Sequence, residues 1–320
     1  MSRKMSSMRL VILTALLLGL TASRPGTRLT AASESGADAI ASTSVQAQHV
    51  VIVMLENHSY SSMIGSSSMP FLNRLARHYA YAKSYYANTH PSIGNYFEMT
   101  TGQIITNNDS YTQTVTADNI VRHLVSAKKS WKEYTEGLPY VGYIGGNNGE
   151  YTQHHNPLSY FSDVRNSSTQ RKNLVPFTQF STDISNHALP RYSFVVPDDD
   201  HNGHDCPDTI PSCSDSERLS AVDSWLQANI QPLTLSSDFN AFQGGLLIIV
   251  VDESNTTDTA HGGGHVAWVV AGPGVKNGYV SSNLYQHQST LRFASEAAGL
   301  TTFPGSAATA PDMKEFIVGN

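Results

Sequence analysis

The sequence predicts an α/β protein, a three-layer α/β/α sandwich around a mostly parallel central sheet. Continuous apolar runs at 50–55 and 245–251 have the length and composition of strands buried on both faces. Segments with helical spacing lie between such runs, and this alternation is typical of parallel sheets. With 320 residues, 40% of them hydrophobic and 14% charged, the chain is long enough to bury a large core.

The remaining elements follow from the same two patterns. Apolar residues at helical spacing predict helices over 69–79, 119–128, 177–184, 216–233 and 284–299, with a shorter one over 96–101. Short apolar runs predict further strands at 82–86, 131–134, 191–196 and 266–270. The Gly-, Asn- and Tyr-rich segment 137–160 is predicted to be a long loop, which is often functional. Because no internal repeat or linker interrupts the pattern, residues 49–320 are predicted to form one domain.

The N-terminus has the pattern of an export signal. Three basic residues precede an apolar run over 10–20, which is followed by small residues. The run is too short to cross a bilayer as a stable helix, so we expect no transmembrane anchor. We therefore predict a signal peptide over 1–23, a flexible leader over 24–48 and an exported protein, either secreted or periplasmic.

The charge balance argues against a nucleic-acid partner. The formal net charge is −6, and no basic run occurs after the first thirty residues. Nothing in the sequence identifies a protein partner. We expect the binding partner to be a small molecule.

Cys206 and Cys213 are the only cysteines and lie seven residues apart. In an oxidising compartment two nearby cysteines favour a short disulfide. The alternative is a zinc site that includes His201 or His204.

Ser92 is the candidate nucleophile. Pro91 disfavours helix in the residue before it and favours a helix start just after it, which places Ser92 near a helix N-terminus. Unpaired backbone N–H groups and the positive end of the dipole form an anion site there. A hydroxyl in that field can attack an ester whose developing charge meets fixed donors. The alternative is that Ser92 is only a helix cap, as serine often is.

Two predicted strands end in acidic residues. Glu56 and Asn57 follow the first apolar run, and Asp252 and Glu253 follow the strongest strand signal. Since the carboxyl ends of parallel strands meet at one edge of a sheet, we expect these side chains to lie close to Ser92. Their oxygens suit one divalent metal ion, whose charge would lower the pKa of the serine and neutralise a phosphate. The sequence leaves Ca, Mg, Mn and Zn open.

The same arrangement would also suit sulfate esters. Sulfatases of this fold, however, carry a modified Cys or Ser within Cys/Ser-x-Pro-x-Arg, and the segment 90–95 lacks the arginine. Phosphoesters are therefore the favoured substrates.

Six motifs in this order resemble those of the phosphoesterase family. They are Glu56-Asn57-His58-Ser59-Tyr60, His90-Pro91-Ser92-Ile93-Gly94-Asn95-Tyr96, His155-Asn156-Pro157, His204-Asp205, Asp252-Glu253 and Gly263-Gly264-His265. The family contains bacterial and fungal acid phosphatases and the bacterial and plant non-specific phospholipases C. It belongs to the alkaline-phosphatase-like superfamily. The resemblance covers about residues 49–318.

The resemblance implies a role for each matched residue. Ser92 would be the nucleophile and form a phosphoserine. The metal ligands would be Glu56, Asn57, Ser92, Asp252 and Glu253. Further catalytic residues would be His155, His204 and His265. Contacts with the phosphate would come from Asn57, His90, Asn95 and His154.

The chain departs from the family pattern at two places. Gly94 stands where members often have proline in Ser-x-Pro-Asn, and the loop 198–213 carries an Asp triplet and both cysteines. The His-Pro-Ser context of Ser92 resembles the acid phosphatase branch more than the phospholipase branch.

We therefore predict a secreted, metal-dependent phosphoester hydrolase, an acid phosphatase acting on phosphomonoesters. Protonated histidines in the pocket would bind a phosphate dianion better and so favour acidic pH. One alternative is a phosphodiesterase of the phospholipase C type. Another is an exported protein that binds metal or phosphate without turnover, because the same ligands would serve binding equally well.

Overall fold

The fold is built on an eight-stranded sheet, and the computed structural model describes it within residues 45–320. In chain order the strands are β1 (His49–Leu55), β2 (Ala80–Tyr85), β3 (Trp131–Thr135), β4 (Leu174–Pro176), β5 (Tyr192–Val196), β6 (Gly245–Val251), β7 (Trp268–Ala271) and β8 (Tyr279–Tyr285). Their order across the sheet is β4-β3-β5-β1-β6-β7-β2-β8. Only β7 runs antiparallel to its neighbours β6 and β2, so the predicted mostly parallel α/β architecture is confirmed.

The register of β1 and β6 places the ends of both strands at the same level. The two strands pair in parallel from His49 opposite Gly245 to Leu55 opposite Val251. Every residue of β6, and every residue of β1 after His49, is buried. Both faces of the central sheet are therefore covered, as their unbroken apolar runs require. The polar residues that follow each strand emerge side by side.

Eleven helices accompany the sheet within the described residues. In chain order they are α1 (Tyr60–Met63), α2 (Pro70–His78), α3 (Ser92–Thr101), α4 (Ile120–Ser126), α5 (Ser162–Arg165), α6 (Ser168–Arg171), α7 (Thr178–Ser185), α8 (Asp215–Asn229), α9 (Gln231–Leu235), α10 (Ser237–Asn240) and α11 (His287–Ala297). Short 3-10 turns lie at Gln153–His155, Pro157–Tyr160, Gly305–Ala308 and Lys314–Phe316. Helix α3 packs on α11, and α2 packs on α8. Within residues 45–320, no helix is long and apolar enough to cross a membrane.

Two predicted helices have different limits in the structure. The helix predicted over 216–233 is divided into α8 and α9 at Ile230, and Pro232 lies in the first turn of α9. Proline has no N–H to continue the first helix but fits the start of a second one. The helix predicted over 284–299 begins only at His287 because the preceding residues form β8, a strand that the sequence did not predict.

The last residues of the predicted leader belong to the folded domain. Val45 and Ala47 are buried, and the backbone N–H of Ala47 donates to the carbonyl oxygen of Ala297. Arg191 donates to the carbonyl oxygen of Ala47. The predicted signal peptide and the leader up to residue 44 lie outside the described residues.

Candidate functional site

Ser92 is the first residue of α3 and faces the end of β1. Its Oγ donates a hydrogen bond to Glu56 Oε2 at 2.9 Å, and both side chains are buried. Pro91 is the N-cap residue of α3, and its own side chain makes no cap hydrogen bond. The hydroxyl is therefore directed at a strand-end carboxylate and does not serve as a helix cap.

Tyr96 lies one helical turn after Ser92 and contacts the same carboxylate. Its hydroxyl donates to Glu56 Oε1 at 2.5 Å. Residues four apart share one face of a helix, so both oxygens of Glu56 receive a donor from α3. Burial and the nearby Glu56 raise the pKa of Tyr96 well above its ordinary value, which keeps the phenol protonated. Tyr96 was not among the predicted site residues, although its spacing of four residues from Ser92 was a usable signal.

The backbone of Asn57 links the ends of β1 and β6. Its φ of 53° lies in the left-handed region, which asparagine tolerates better than most residues. In this conformation the N–H donates to Asp252 Oδ1 at 3.0 Å, while Nδ2 donates to Glu56 Oε2 at 3.0 Å. The Asn57 side chain therefore has its oxygen left for a ligand.

The strand-end carboxylates carry more negative charge than their surroundings compensate. Burial and the repulsion of Asp252 raise the pKa of Glu56 well above its ordinary value. Burial raises the pKa of Asp252 to about 6, and burial together with Asp252 raises that of Glu253 to about 9. The Ser92 hydroxyl opposes both shifts, since it lowers the pKa of Asp252 and of Glu253.

A buried oxygen of Asp252 is left without a partner. Oδ1 accepts from two backbone N–H groups, those of Asn57 and Glu253, but Oδ2 has no hydrogen bond although it is buried. An unpaired buried carboxylate oxygen is costly, and a cation would remove that cost. The donor set of carboxylate, amide and hydroxyl oxygens fits a hard divalent metal ion.

The carboxylates do not form one tight ligand group by themselves. Within the described part of the chain, the groups of three acidic or histidine side chains whose ligand atoms lie within 4.8 Å of one another are two others, Glu136/Asp198/His201 and Glu150/Asp200/Asp208. Glu253 is instead held by His90, whose Nδ1 lies 2.9 Å from Oε2. The fit to a metal ion therefore rests on the unpartnered oxygen of Asp252 and on the Asn57 and Ser92 oxygens beside it.

A histidine joins this carboxylate cluster to the loop after β5. His155 Nε2 lies 3.2 Å from Glu56 Oε1, and its Nδ1 lies 3.7 Å from Asp199 Oδ1. The ring also stacks on Tyr96, with 5.2 Å between the ring centres. Burial and the neighbouring His154 lower the pKa of His155 well below its ordinary value, so the imidazole is neutral. Asp199 belongs to the Asp triplet that the sequence singled out without assigning a role.

His154 and His204 lie beside this group. The ring centres of His154 and His155 are 4.3 Å apart, and the charge of His204 lowers the pKa of both. Half of the His204 side chain is exposed, and its backbone N–H donates to Asn202 Oδ1 at 2.8 Å. The structure also joins Cys206 and Cys213 by a disulfide, which closes the loop just after His204.

The structure gives three predicted site residues other contacts. Asn95 holds the loop before Ser92: Oδ1 accepts from the N–H groups of Asn88 and Thr89, and Nδ2 donates to the Thr89 carbonyl oxygen. These contacts give Asn95 a positioning role. Of its polar groups, only the second Nδ2 hydrogen is left for the predicted contact with phosphate.

His90 and His265 also differ from the prediction. His90 spans from Glu253 to the carbonyl oxygen of Asp258, so both ring nitrogens are paired within the protein and neither is free for phosphate. His265 Nε2 lies 2.8 Å from the carbonyl oxygen of Lys83, and its ring stacks with two tyrosines. These contacts do not connect His265 to the Glu56 cluster, so its predicted catalytic role has no support in the geometry.

His287 contacts the backbone of Asp252 and was not among the predicted site residues. Its Nε2 lies 2.6 Å from the carbonyl oxygen of Asp252, and its Nδ1 lies 3.1 Å from the hydroxyl of Tyr85. Burial lowers the pKa of His287 to about 4, so the ring is neutral and its Nε2–H donates a hydrogen bond to the Asp252 carbonyl oxygen. No sequence signal identified it, because its position in α11 is distant in the chain.

The chain is similar to proteins of known family. The profile described as the Phosphoesterase family matches residues 66–301. The sequence is 30% identical to the phosphatidylinositol-3-phosphatase of Mycobacterium tuberculosis over 83% of this chain and 82% of that protein. It is 30% identical to a probable acid phosphatase of Kluyveromyces lactis over 64% of this chain, but the match spans only 47% of that protein. A structure from the alkaline phosphatase superfamily of Vibrio parahaemolyticus superposes with a TM-score of 0.58 at 12% identity, covering 86% of this chain and 73% of that one.

Proposed function

The chain belongs to the Phosphoesterase family, and we propose that it is an exported, metal-dependent acid phosphatase that acts on phosphomonoesters through a phosphoserine at Ser92. The observation that carries this proposal is the contact between Ser92 Oγ and Glu56 Oε2, beside the unpartnered oxygen of Asp252. Two relatives described above are named as a probable acid phosphatase and a phosphatidylinositol-3-phosphatase, which supports the proposal. Export rests on the sequence pattern of residues 1–23 alone.

The metal ligands would be Glu56, Asn57, Ser92, Asp252 and Glu253. When bound, a divalent ion supplies Lewis-acid charge that stabilises a phosphoryl oxygen and lowers the pKa of a ligand hydroxyl. Carboxylates whose pKa values are raised by burial would bind it in their ionised form, so metal binding releases protons at neutral pH. Ca, Mg, Mn and Zn all remain candidates for this position.

In the first half of the reaction Ser92 Oγ bonds to phosphorus and the ester P–O bond breaks. The proton that leaves the hydroxyl lies on the hydrogen bond to Glu56 Oε2. The departing alkoxide needs a proton, and we assign its donation to the partly exposed His204. In the second half, water attacks the phosphoserine and gives one proton back to this histidine, the Oγ–P bond breaks, and the proton that Glu56 accepted returns to Ser92 Oγ.

The test is the Ser92→Ala variant assayed on an aryl phosphate. We expect kcat to fall by at least about 10³-fold because the nucleophile is removed. Ser61→Ala, at an exposed serine in α1, is the matched control and should keep wild-type activity. Chelation of metal should inactivate the wild type, and one of the four candidate ions should restore it. Near-wild-type turnover by Ser92→Ala would refute the assignment.

A parallel assay separates the alternatives. A phospholipase C-type enzyme would hydrolyse a phosphocholine diester faster than the aryl phosphate. A binding protein would take up phosphate in calorimetry and hydrolyse neither ester. An acid phosphatase should prefer the monoester below neutral pH.

A further inference from the structure

Asp109 lies on the N-terminus of the nucleophile helix and has no role so far. Its Oδ1 accepts a hydrogen bond from the backbone N–H of Ile93, the residue after Ser92, at 3.2 Å. This N–H is one of the free donors at the positive end of α3. The carboxylate therefore occupies the position in which a helix start would otherwise offer a donor to a phosphate oxygen.

Gly94 allows the loop that carries Asp109 to approach the helix. A Cβ at this position would collide with Asn107 Oδ1 and with the Thr89 side chain. Asn107 Nδ2 in turn donates to Thr89 Oγ1 at 2.8 Å, which fixes the loop beside the residues before Ser92. The glycine that departs from the common Ser-x-Pro-Asn pattern thus has a structural consequence: it makes room for Asn107, in the loop that carries Asp109.

The charge of Asp109 also reaches the pocket. It contributes to raising the pKa of Glu253, and it opposes the lowering of the His154 pKa by burial. Asp109 thus acts electrostatically on a predicted metal ligand on one side and on a pocket histidine on the other. A fixed negative charge at this point repels a doubly charged phosphoryl group more strongly than a singly charged one.

We propose that Asp109 selects substrates by charge, because it disfavours the dianion of a phosphomonoester relative to a singly charged phosphoester at Ser92. This inference rests on the proposed function and names the form of substrate that the site accepts. The singly charged form is either a diester or a monoester that carries one proton, which is abundant below the second pKa of a phosphate monoester, about 6. Acid preference would then come from the substrate as well as from the protein.

The test is Asp109→Asn, which keeps an oxygen for the Ile93 N–H and removes the charge. The substrates are 4-nitrophenyl phosphate and methyl 4-nitrophenyl phosphate, which share a leaving group and differ in charge, assayed near pH 8. We expect the ratio of kcat/KM for the monoester to that for the diester to rise about tenfold. The matched control, Glu150→Gln, removes a carboxylate that faces the Asp triplet but does not touch α3, and the ratio should change less than about twofold.

A binding measurement separates this inference from the proposed function. Inorganic phosphate, mostly the dianion near pH 8, should bind Asp109→Asn about tenfold more tightly than wild type in calorimetry, whether or not any ester is hydrolysed. An unchanged phosphate affinity, or equal changes in kcat/KM for both esters, would overturn the inference and leave Asp109 as a helix cap. Failure of Ser92→Ala to lose activity would overturn the proposed function while the phosphate affinity still decides the role of Asp109.

Discussion

Two neighbouring carboxylate–histidine groups lie on the same edge of the sheet, and their charges are balanced differently. In the first, His201 Nδ1 lies 3.1 Å from Glu136 Oε2 and 3.0 Å from Asp198 Oδ1. Burial alone would lower the pKa of His201, but hydrogen bonds to the two carboxylates raise it to about 10. Burial would likewise raise the pKa of Glu136, but His201 lowers it below the ordinary value. The histidine of this group thus provides a compensating charge, although one imidazolium offsets only one of the two carboxylates and burial leaves the pKa of Asp198 raised.

In the second group the histidine does not provide the compensating charge. His155 lies between Glu56 and Asp199, as His201 lies between its two carboxylates, but deep burial keeps it neutral. Glu56 has a raised pKa, and the nearby Asp252 keeps an oxygen unpaired. A carboxylate–histidine group thus stabilises the fold where its histidine is half exposed and charged. Where the histidine is buried and neutral, the group keeps negative charge that a cation would compensate. The unbalanced group is the one that we expect to bind a ligand.

The largest effect is expected from Asp252→Asn, which removes charge from the unbalanced group. Activity on an aryl phosphate should fall by about 10³-fold or more because a metal ligand is lost. In chelator, the free energy of unfolding should rise by about 1 kcal/mol, since an unpaired buried charge is removed while Oδ1 still accepts its two N–H groups. Kinetics and urea denaturation on the same preparation measure both changes.

Asp183→Asn is the matched control for the prediction that activity falls while the free energy of unfolding rises. Asp183 is also buried, but Lys132 and the Tyr134 hydroxyl pair its Oδ2. Its replacement should lower stability and leave kcat near wild type. If Asp252→Asn instead destabilised the metal-free protein as much as Asp183→Asn does, the site would not carry uncompensated charge.

The next effect is expected from His155→Gln. Loss of the imidazole between Glu56 and Asp199 should lower kcat by about 10²-fold, as expected for a group that orients or moves a proton. The midpoint of urea unfolding should change little, because the buried ring is neutral and its loss removes no ion pair. His187→Gln, at an exposed histidine, is the control and should keep full activity. Equal losses of stability and activity in His155→Gln would show a structural role.

The sequence predicted correctly those features that depend on a buried strand and on the residues directly after it. The strands β1 and β6 could be recognised from unbroken apolar runs, and the position of Glu56 and Asp252 followed from parallel pairing. The edge strand β8 was missed because four of its seven residues are exposed and a polar Ser-Ser-Asn segment interrupts it, so it has no apolar run. A pattern along the chain reports burial, and an edge strand has little of it.

The histidines were harder to place than the carboxylates. His155 and His265 both lie in polar segments of the sequence, yet only His155 contacts Glu56. The ring of His265 lies instead beside the backbone carbonyl oxygen of Lys83, a contact that the sequence does not reveal. Tyr96 and His287 belong to helices whose orientation is set by tertiary packing. Asp109 was missed for the same reason: its partner Ile93 is sixteen residues away, and the close approach of the intervening loop at Gly94 is visible only in the structure.

The smallest effect, and the one that most directly tests the balanced group, is expected from His201→Gln. The folded pKa of about 10 lies above the unfolded value of about 6.5, so the ion pairs contribute stability that is complete below about pH 6.5 and is lost as pH rises towards 10. Because 36% of the side chain is exposed, we expect screening to limit the difference from wild type to about 1 kcal/mol.

Urea unfolding of wild type and His201→Gln near pH 6, 8 and 10 measures this difference. It should be largest near pH 6 and close to zero near pH 10, while kcat on an aryl phosphate stays within about threefold of wild type. A fall in kcat as large as that of His155→Gln, with no dependence of stability on pH, would contradict the distinction. The two groups would then form one connected site through Asp198 and Asp199, which are adjacent in the loop after β5, and charge balance would not separate fold from function.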